Sequence, residues 1–295
     1  MCSSHFAANI SNGSREEWYG IGSGYDSGNL YFYPAAGGGT FPSGKEGEGD
    51  TEIPDGEGHD HRNQADTGGL LWDMPEPGRI SGCAGGWNGK RLWGEISSKQ
   101  AVDTIKDMFA NYRSAENPAY FFRNAFHRAN ASILEVLDDG RGGASAGIVL
   151  IKENYLYYAV VGNVKAAVFR KGDLVPVSVG HTIDMLVEDR FMEGRITKEE
   201  ALKRLEDKRV YNYLGQERFE EVEFFDTSIR LKEKDIVVLM SDGLYEGVEW
   251  KTIEEILAGK KKCQQKAFEI IEAVNAGSQE KKDNASIVLV EVFVD

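Results

Sequence analysis

DIVVLMSDG, residues 235–243, is the stretch on which the reading of this chain turns. Ile236 to Met240 are apolar without interruption. A strand with one wet face alternates apolar and polar residues, so an unbroken apolar run marks a strand covered on both faces, in the interior of a layered protein. At its end stand Ser241, Asp242 and Gly243. A carboxylate at the end of a buried strand is fixed in direction by that strand, and the glycine lets the backbone turn away. A second such run, ASIVLVEVFV (285–294), predicts a long closing strand with Asp283 just before it. Two carboxylates at the ends of neighbouring strands can share a hard divalent cation. Taken singly, each also reads as a residue that ends a strand, because Asp favours turns.

Working upstream, three runs read as a strand meander: SAGIVLIK (145–152), YLYYAVVG (155–162) and VKAAVFRK (164–171). Glu153-Asn154, Gly162-Asn163 and Lys171-Gly172 punctuate them as turns. Two helices precede the meander. KQAVDTIKDMFANY (99–112) follows Ser97 and Ser98, read as N-cap residues, and sets Ala101, Ile105, Met108 and Phe109 on one face. The next, about 118–138, carries Phe121, Ala125, Phe126, Ala129, Ile133 and Val136 on a stripe. Before them, GLLWDM (69–74) and RISGCAGG (79–86) read as short strands joined by the turn at Pro75–Gly78. ITKEEALKRLE (196–206) starts a helix, with Thr197 and Glu200 spaced as a capping box. Two more helical stretches, about 249–258 and 262–275, separate the last two strands. Helices grouped between runs of strands predict an α+β arrangement in which helices pack on stacked antiparallel sheets.

Composition sets the outer limits. At about 100–200 residues per domain, 295 residues make one large domain or two small ones, and 41% apolar content supplies a core. The stretch 34–69 is rich in Gly, Asp and Glu and nearly lacks aliphatics, so it cannot bury enough surface to offset its chain entropy. The expected organisation is an N-terminal strand segment at 1–35, a flexible Gly/acidic loop at 36–60 and a main domain at 61–295. A net charge of −14 repels nucleic acid and anionic membrane and argues against both as partners. Cys2, Cys83 and Cys263 are too few and too scattered for a disulfide framework or a zinc site, which fits a reducing, cytoplasmic setting. No apolar run approaches the ~18 residues that span a bilayer, and the first residues lack the pattern of a secretory signal.

Seven stretches in register resemble the PPM (protein phosphatase 2C) family of metal-dependent serine/threonine phosphatases. They are RNQADTGGLLWD (62–73), AGGWNGKRLWGEISSKQAV (84–102), the meander and its tail to Thr182, FMEGRITKEEA (191–201), RVYNYLG (209–215), MSDGLYEGV (240–248) and KDNASIVLVEV (282–292). The resemblance implies a four-layer α-β-β-α sandwich: two antiparallel sheets flanked by helix pairs. It implies Mn²⁺ or Mg²⁺ at one end, activating a water for attack on phosphorus. The implied partner is a phosphoprotein or a protein kinase.

The departures from the family pattern fall on acidic positions. Ala65 stands where the opening motif has Asp, with Asp66 one place later. Gly82, followed by Cys83, replaces the Asp that bridges two ions in the family. Asn163 replaces the acid of a Gly-Asp-Ser motif, and Gly180 that of an Asp-His motif. Asp242 and Asp283 remain. On this reading Asp242, Asp283 and Asp66 are the candidate metal ligands, and Arg62 is the candidate phosphate-binding residue. The site holds one or two ions, or none. Without a bridging carboxylate a close pair of dications is hard to hold. The expectation is a weak or inactive phosphatase-like binding module, with an active Mn²⁺- or Mg²⁺-dependent phosphoprotein phosphatase as the alternative.

Overall fold

The computed structural model describes residues 5–11, 15–19, 70–74, 79–87, 91–111, 117–137, 142–219, 221–277 and 285–293. In chain order the elements are β1 (His5–Ser11), β2 (Arg15–Tyr19), β3 (Leu70–Met74), β4 (Arg79–Trp87), α1 (Arg91–Asn111), α2 (Pro118–Leu137), β5 (Gly143–Lys152), β6 (Tyr155–Val161), β7 (Lys165–Arg170) and β8 (Asp173–Pro176). There follow α3 (Ile183–Met192), α4 (Lys198–Leu202), β9 (Glu223–Phe224), β10 (Ile229–Arg230), β11 (Ile236–Met240), α5 (Asp242–Tyr245), α6 (Trp250–Ala258), α7 (Cys263–Ala276) and β12 (Ala285–Glu291). One sheet runs β2-β1-β12-β11-β7-β8, the other β10-β6-β5-β4-β3 with β9 also on β6, and all the pairings are antiparallel.

The apolar runs explain the layering. Along β11, Ile236, Val238 and Met240 pack with residues of α6 and α7, whereas Val237 and Leu239 point into the space between the sheets. On β12, Ile287 and Leu289 join the helical side, and Val288 and Val290 the inter-sheet side. Successive side chains of a strand leave on opposite faces, so a strand covered twice is apolar at every position. The third core lies under α1 and α2, where Ile105, Phe109, Phe121, Phe126 and Ile133 meet Ala146, Ile148 and Leu150 of β5. The result is the α-β-β-α sandwich expected from the sequence.

The turns behave as their residues dictate. Glu153 and Asn154 both take positive φ, as a two-residue hairpin connection requires. Thr197 and Glu200 close a reciprocal capping box on α4. The outer strand β8 is closed off by side chains of α6: the Leu174 N–H donates to Glu254 Oε1 at 3.0 Å, and the Trp250 indole N–H donates to the Leu174 carbonyl at 3.0 Å.

Three local expectations need correction. Ser97 and Ser98 do not cap α1, which starts at Arg91. Their hydroxyls bond back to the carbonyls of Trp93 (2.7 Å) and Glu95 (3.0 Å) inside the helix. Trp93 packs against the start of β5, where a Cβ on Gly142 would lie 2.9 Å from the Trp93 Cβ. On α2 the stripe ends at buried Leu137, while Val136 is exposed. The helix expected over 196–206 stops at Leu202. No helix among the described residues is long and apolar enough to cross a membrane. The stretch 36–60 lies outside the described residues.

Candidate functional site

The site end of the sandwich is where β6 gives way to β7 and β11 to α5. Ser241 continues the pairing of β11 with β12: its N–H donates to the Ser286 carbonyl at 3.0 Å, and its hydroxyl accepts from the Ser286 N–H at 2.9 Å. The strand therefore stays anchored until the residue before Asp242. Asp242 begins the short helix α5, and its Oδ1 accepts from the Gly243 N–H at 2.9 Å. Its Oδ2 accepts from the side-chain amide of Asn163 at 2.5 Å.

Asn163 sits on a turn held from several sides. The Gly162 N–H donates to Nδ1 of His181 at 3.1 Å, and the His181 N–H returns to the Gly162 carbonyl at 2.7 Å. The Asn163 N–H donates to the Ser145 hydroxyl at 3.3 Å, and the Tyr245 hydroxyl donates to the Asn163 carbonyl at 2.8 Å. Gly162 has φ +87°, and a Cβ there would lie 2.0 Å from Ser145 Oγ, so only glycine allows this approach.

Burial fixes the protonation of His181 and Tyr245 at neutral pH. Burial pushes His181 down to about 4, so its ring is neutral and Nδ1 is free to accept. Burial, followed by the charges of Asp242 and Glu246, raises the Tyr245 phenol well above its usual range, so it remains a donor. The Lys165 ammonium lies 4.8 Å from the centroid of the Tyr245 ring, and burial lowers its pKa. Nearby, the Glu223 carboxylate accepts from the N–H groups of Val179 and Gly180, both at 2.7 Å. Burial raises the Glu223 pKa, against the opposing effect of those two bonds.

The sequence candidates are distributed unevenly around this centre. Asp242 and Asn163 meet in a hydrogen bond. Gly180 adjoins them: a Cβ there would stand 3.2 Å from the Gly162 carbonyl and 3.9 Å from the Asn163 Cα. Its φ of +87° suits glycine and would strain an aspartate. Gly82 and Cys83 lie in mid-β4, paired with Ile148 and Gly147, whereas Gly85 is the residue opposite Ser145. Three residues of strand, about 10 Å, separate Gly82 from that level. Gly82 is thus three residues along β4 from the one opposite Ser145. Arg62, Ala65, Asp66 and Asp283 lie outside the described residues. Sequence reasoning gave no role to Ser145, Tyr245 or Glu223. Tyr245 carried a signal, since it falls one helical turn after Asp242.

No family model matches the chain. The serine/threonine phosphatase Stp of Listeria monocytogenes is 26% identical over 238 residues, covering 78% of this chain and 90% of that protein. The solved serine/threonine phosphatase of S. agalactiae superposes with a TM-score of 0.66 at 22% identity, over 80% of this chain and 96% of that one. The PPM Ser-Thr phosphatase MsPP of Mycobacterium smegmatis gives 0.63 at 19%, over 79% and 94%. The chain has the fold of the PPM phosphatases and is similar in sequence to the serine/threonine phosphatase Stp.

Against the ion pair implied by the PPM resemblance, the described residues of this chain are a poor fit. Among them no group of three His, Cys, Asp or Glu side chains is placed to hold a metal. Asp242 faces a neutral amide where the PPM pattern has a second carboxylate, and that amide points its N–H, not a lone pair, at the shared space. An amide N–H cannot ligate a cation. The arrangement orders Asp242; it assembles no carboxylate cage around a dication among these residues.

Proposed function

We propose that this PPM-family chain is a catalytically weak or inactive phosphatase-like protein that uses the fold as a binding or regulatory module. Its proposed partner is a phosphoprotein or a protein kinase, met in the cytoplasm. The observation that carries this reading is the Asn163 amide donating to the Asp242 carboxylate. Hydrolysis in this family needs a metal-activated water, and a donor pointed at the retained carboxylate opposes metal ligation there. Any residual ion would draw on Asp242 together with Asp283 and Asp66, with Arg62 as the phosphate-binding residue.

The second reading is an active Mn²⁺- or Mg²⁺-dependent enzyme acting on phosphoserine or phosphothreonine. Its support is the retention of Asp242 at the end of β11, anchored through Ser241 and Ser286. Calorimetric titration with Mn²⁺, paired with hydrolysis of p-nitrophenyl phosphate at millimolar Mn²⁺, separates the two. The expected result is no two-ion isotherm and no turnover above buffer. A tight two-ion isotherm with turnover that Asp242→Asn abolishes would overturn the proposal in favour of the enzyme.

A further inference from the structure

The turn carrying Asn163 is organised to a degree that a simple chain reversal does not need. Four main-chain groups, the N–H and C=O of Gly162 and of Asn163, each have a partner from another part of the fold. Ser145 comes from β5, His181 from the segment leading into α3, and Tyr245 from α5. Helix α5 grips Asn163 twice: Asp242 accepts from the side chain, and Tyr245, three residues on, donates to the main chain. With the backbone fixed from three sides, the amide is aimed at Asp242. Its orientation is dictated chemically, since the opposite flip would set a carbonyl oxygen against a carboxylate.

We infer that the Asn163 amide is a built-in neutral stand-in for a cation at Asp242, supplying a hydrogen-bond donor where an ion would otherwise balance the carboxylate. The inference rests on the reading above, that this site works without a metal. It assigns the metal-free character of the Asp242 position to one side chain. An aspartate at 163 would put two carboxylates at hydrogen-bond distance, an arrangement that demands a cation or a shared proton between them.

The test is a charge swap in the full chain, melted in EDTA and in millimolar Mn²⁺. Asn163→Asp is expected to lower the melting temperature in EDTA by roughly 5 °C, and Mn²⁺ is expected to restore it with a measurable isotherm. The double variant Asn163→Asp/Asp242→Asn remakes the amide–carboxylate pair with its members exchanged. It is expected to recover most of the loss in EDTA and to ignore Mn²⁺. If Asn163→Asp fails to fold in EDTA, recovery of folding by the swap supports the inference in the same way. A swap no more stable than the single variant, or a single variant that melts like wild type in EDTA or gains nothing from Mn²⁺, overturns it. A two-ion isotherm on the wild-type chain would instead sink the reading of a weak or inactive phosphatase, an outcome distinct from the result of the swap in EDTA.

Discussion

Two connections of one meander, Gly162–Asn163 between β6 and β7 and Lys171–Gly172 between β7 and β8, look alike in sequence and differ in everything around them. Each pairs a polar residue with a glycine at positive φ. A Cβ added to Gly172 would meet nothing within 4 Å, whereas one added to Gly162 would strike Ser145 Oγ at 2.0 Å. Lys171 and Gly172 are exposed; Gly162 is buried, and its N–H and C=O both bond to His181. The outer turn only reverses the chain, and local backbone preference suffices for it. The inner turn delivers a side chain to Asp242, and three other elements fix its position.

The comparison breaks most visibly under Gly162→Ala. Left-handed backbone strain and a methyl group driven into Ser145 should together cost about 3–5 kcal/mol, measured by urea unfolding. A loss no larger than that of the same substitution at Gly172 would mean that the inner turn is not held as described. Acidification comes next in size. His181 is pushed down to about 4 when folded, below its ordinary 6.5, so between those values the unfolded chain binds a proton that the folded chain refuses. Stability from this residue is whole above pH 6.5 and falls as pH drops toward about 4, by on the order of 3 kcal/mol. Glu223, raised by burial, tends the other way, with or without His181. His181→Asn keeps an acceptor near the Gly162 N–H but cannot titrate, so its stability profile should be flatter over that window. An unchanged slope in denaturant titrations at several pH values would detach His181 from the turn. The smallest effect belongs to Gly172→Ala, about 1 kcal/mol from the positive φ alone, with the Asn163–Asp242 contact untouched.

The layered fold was legible because burial on both faces writes itself into sequence as unbroken apolar runs, as in β11 and β12. The turn signals at Glu153-Asn154 and Lys171-Gly172 were equally plain, since in each a charged residue followed by Asn or Gly interrupts the apolar runs. The start of α1 was hidden because the helix begins upstream of Ser97 and Ser98, the residues whose type suggested a cap. Helix α3 was missed for the opposite reason. It buries Asp184 and Val187 and leaves Phe191 and Met192 exposed, so its pattern contradicts the usual rule. At the site, motif order picked out Asp242 and Asn163 but said nothing of how they relate. Which hydroxyl or ring nitrogen holds a turn depends on contacts 18 to 82 residues apart in the chain, and no periodicity records those.

The capping of Leu174 bears on how this molecule meets its neighbours in solution. A bare outer strand is a template on which another chain can add itself, and such edges seed unwanted polymerisation. Here the carboxylate of Glu254 and the indole of Trp250 already hold the N–H and C=O of Leu174. An incoming strand would have to strip both side chains from that residue before forming its first rung, so growth of fibrils from this border of the sandwich starts at a disadvantage.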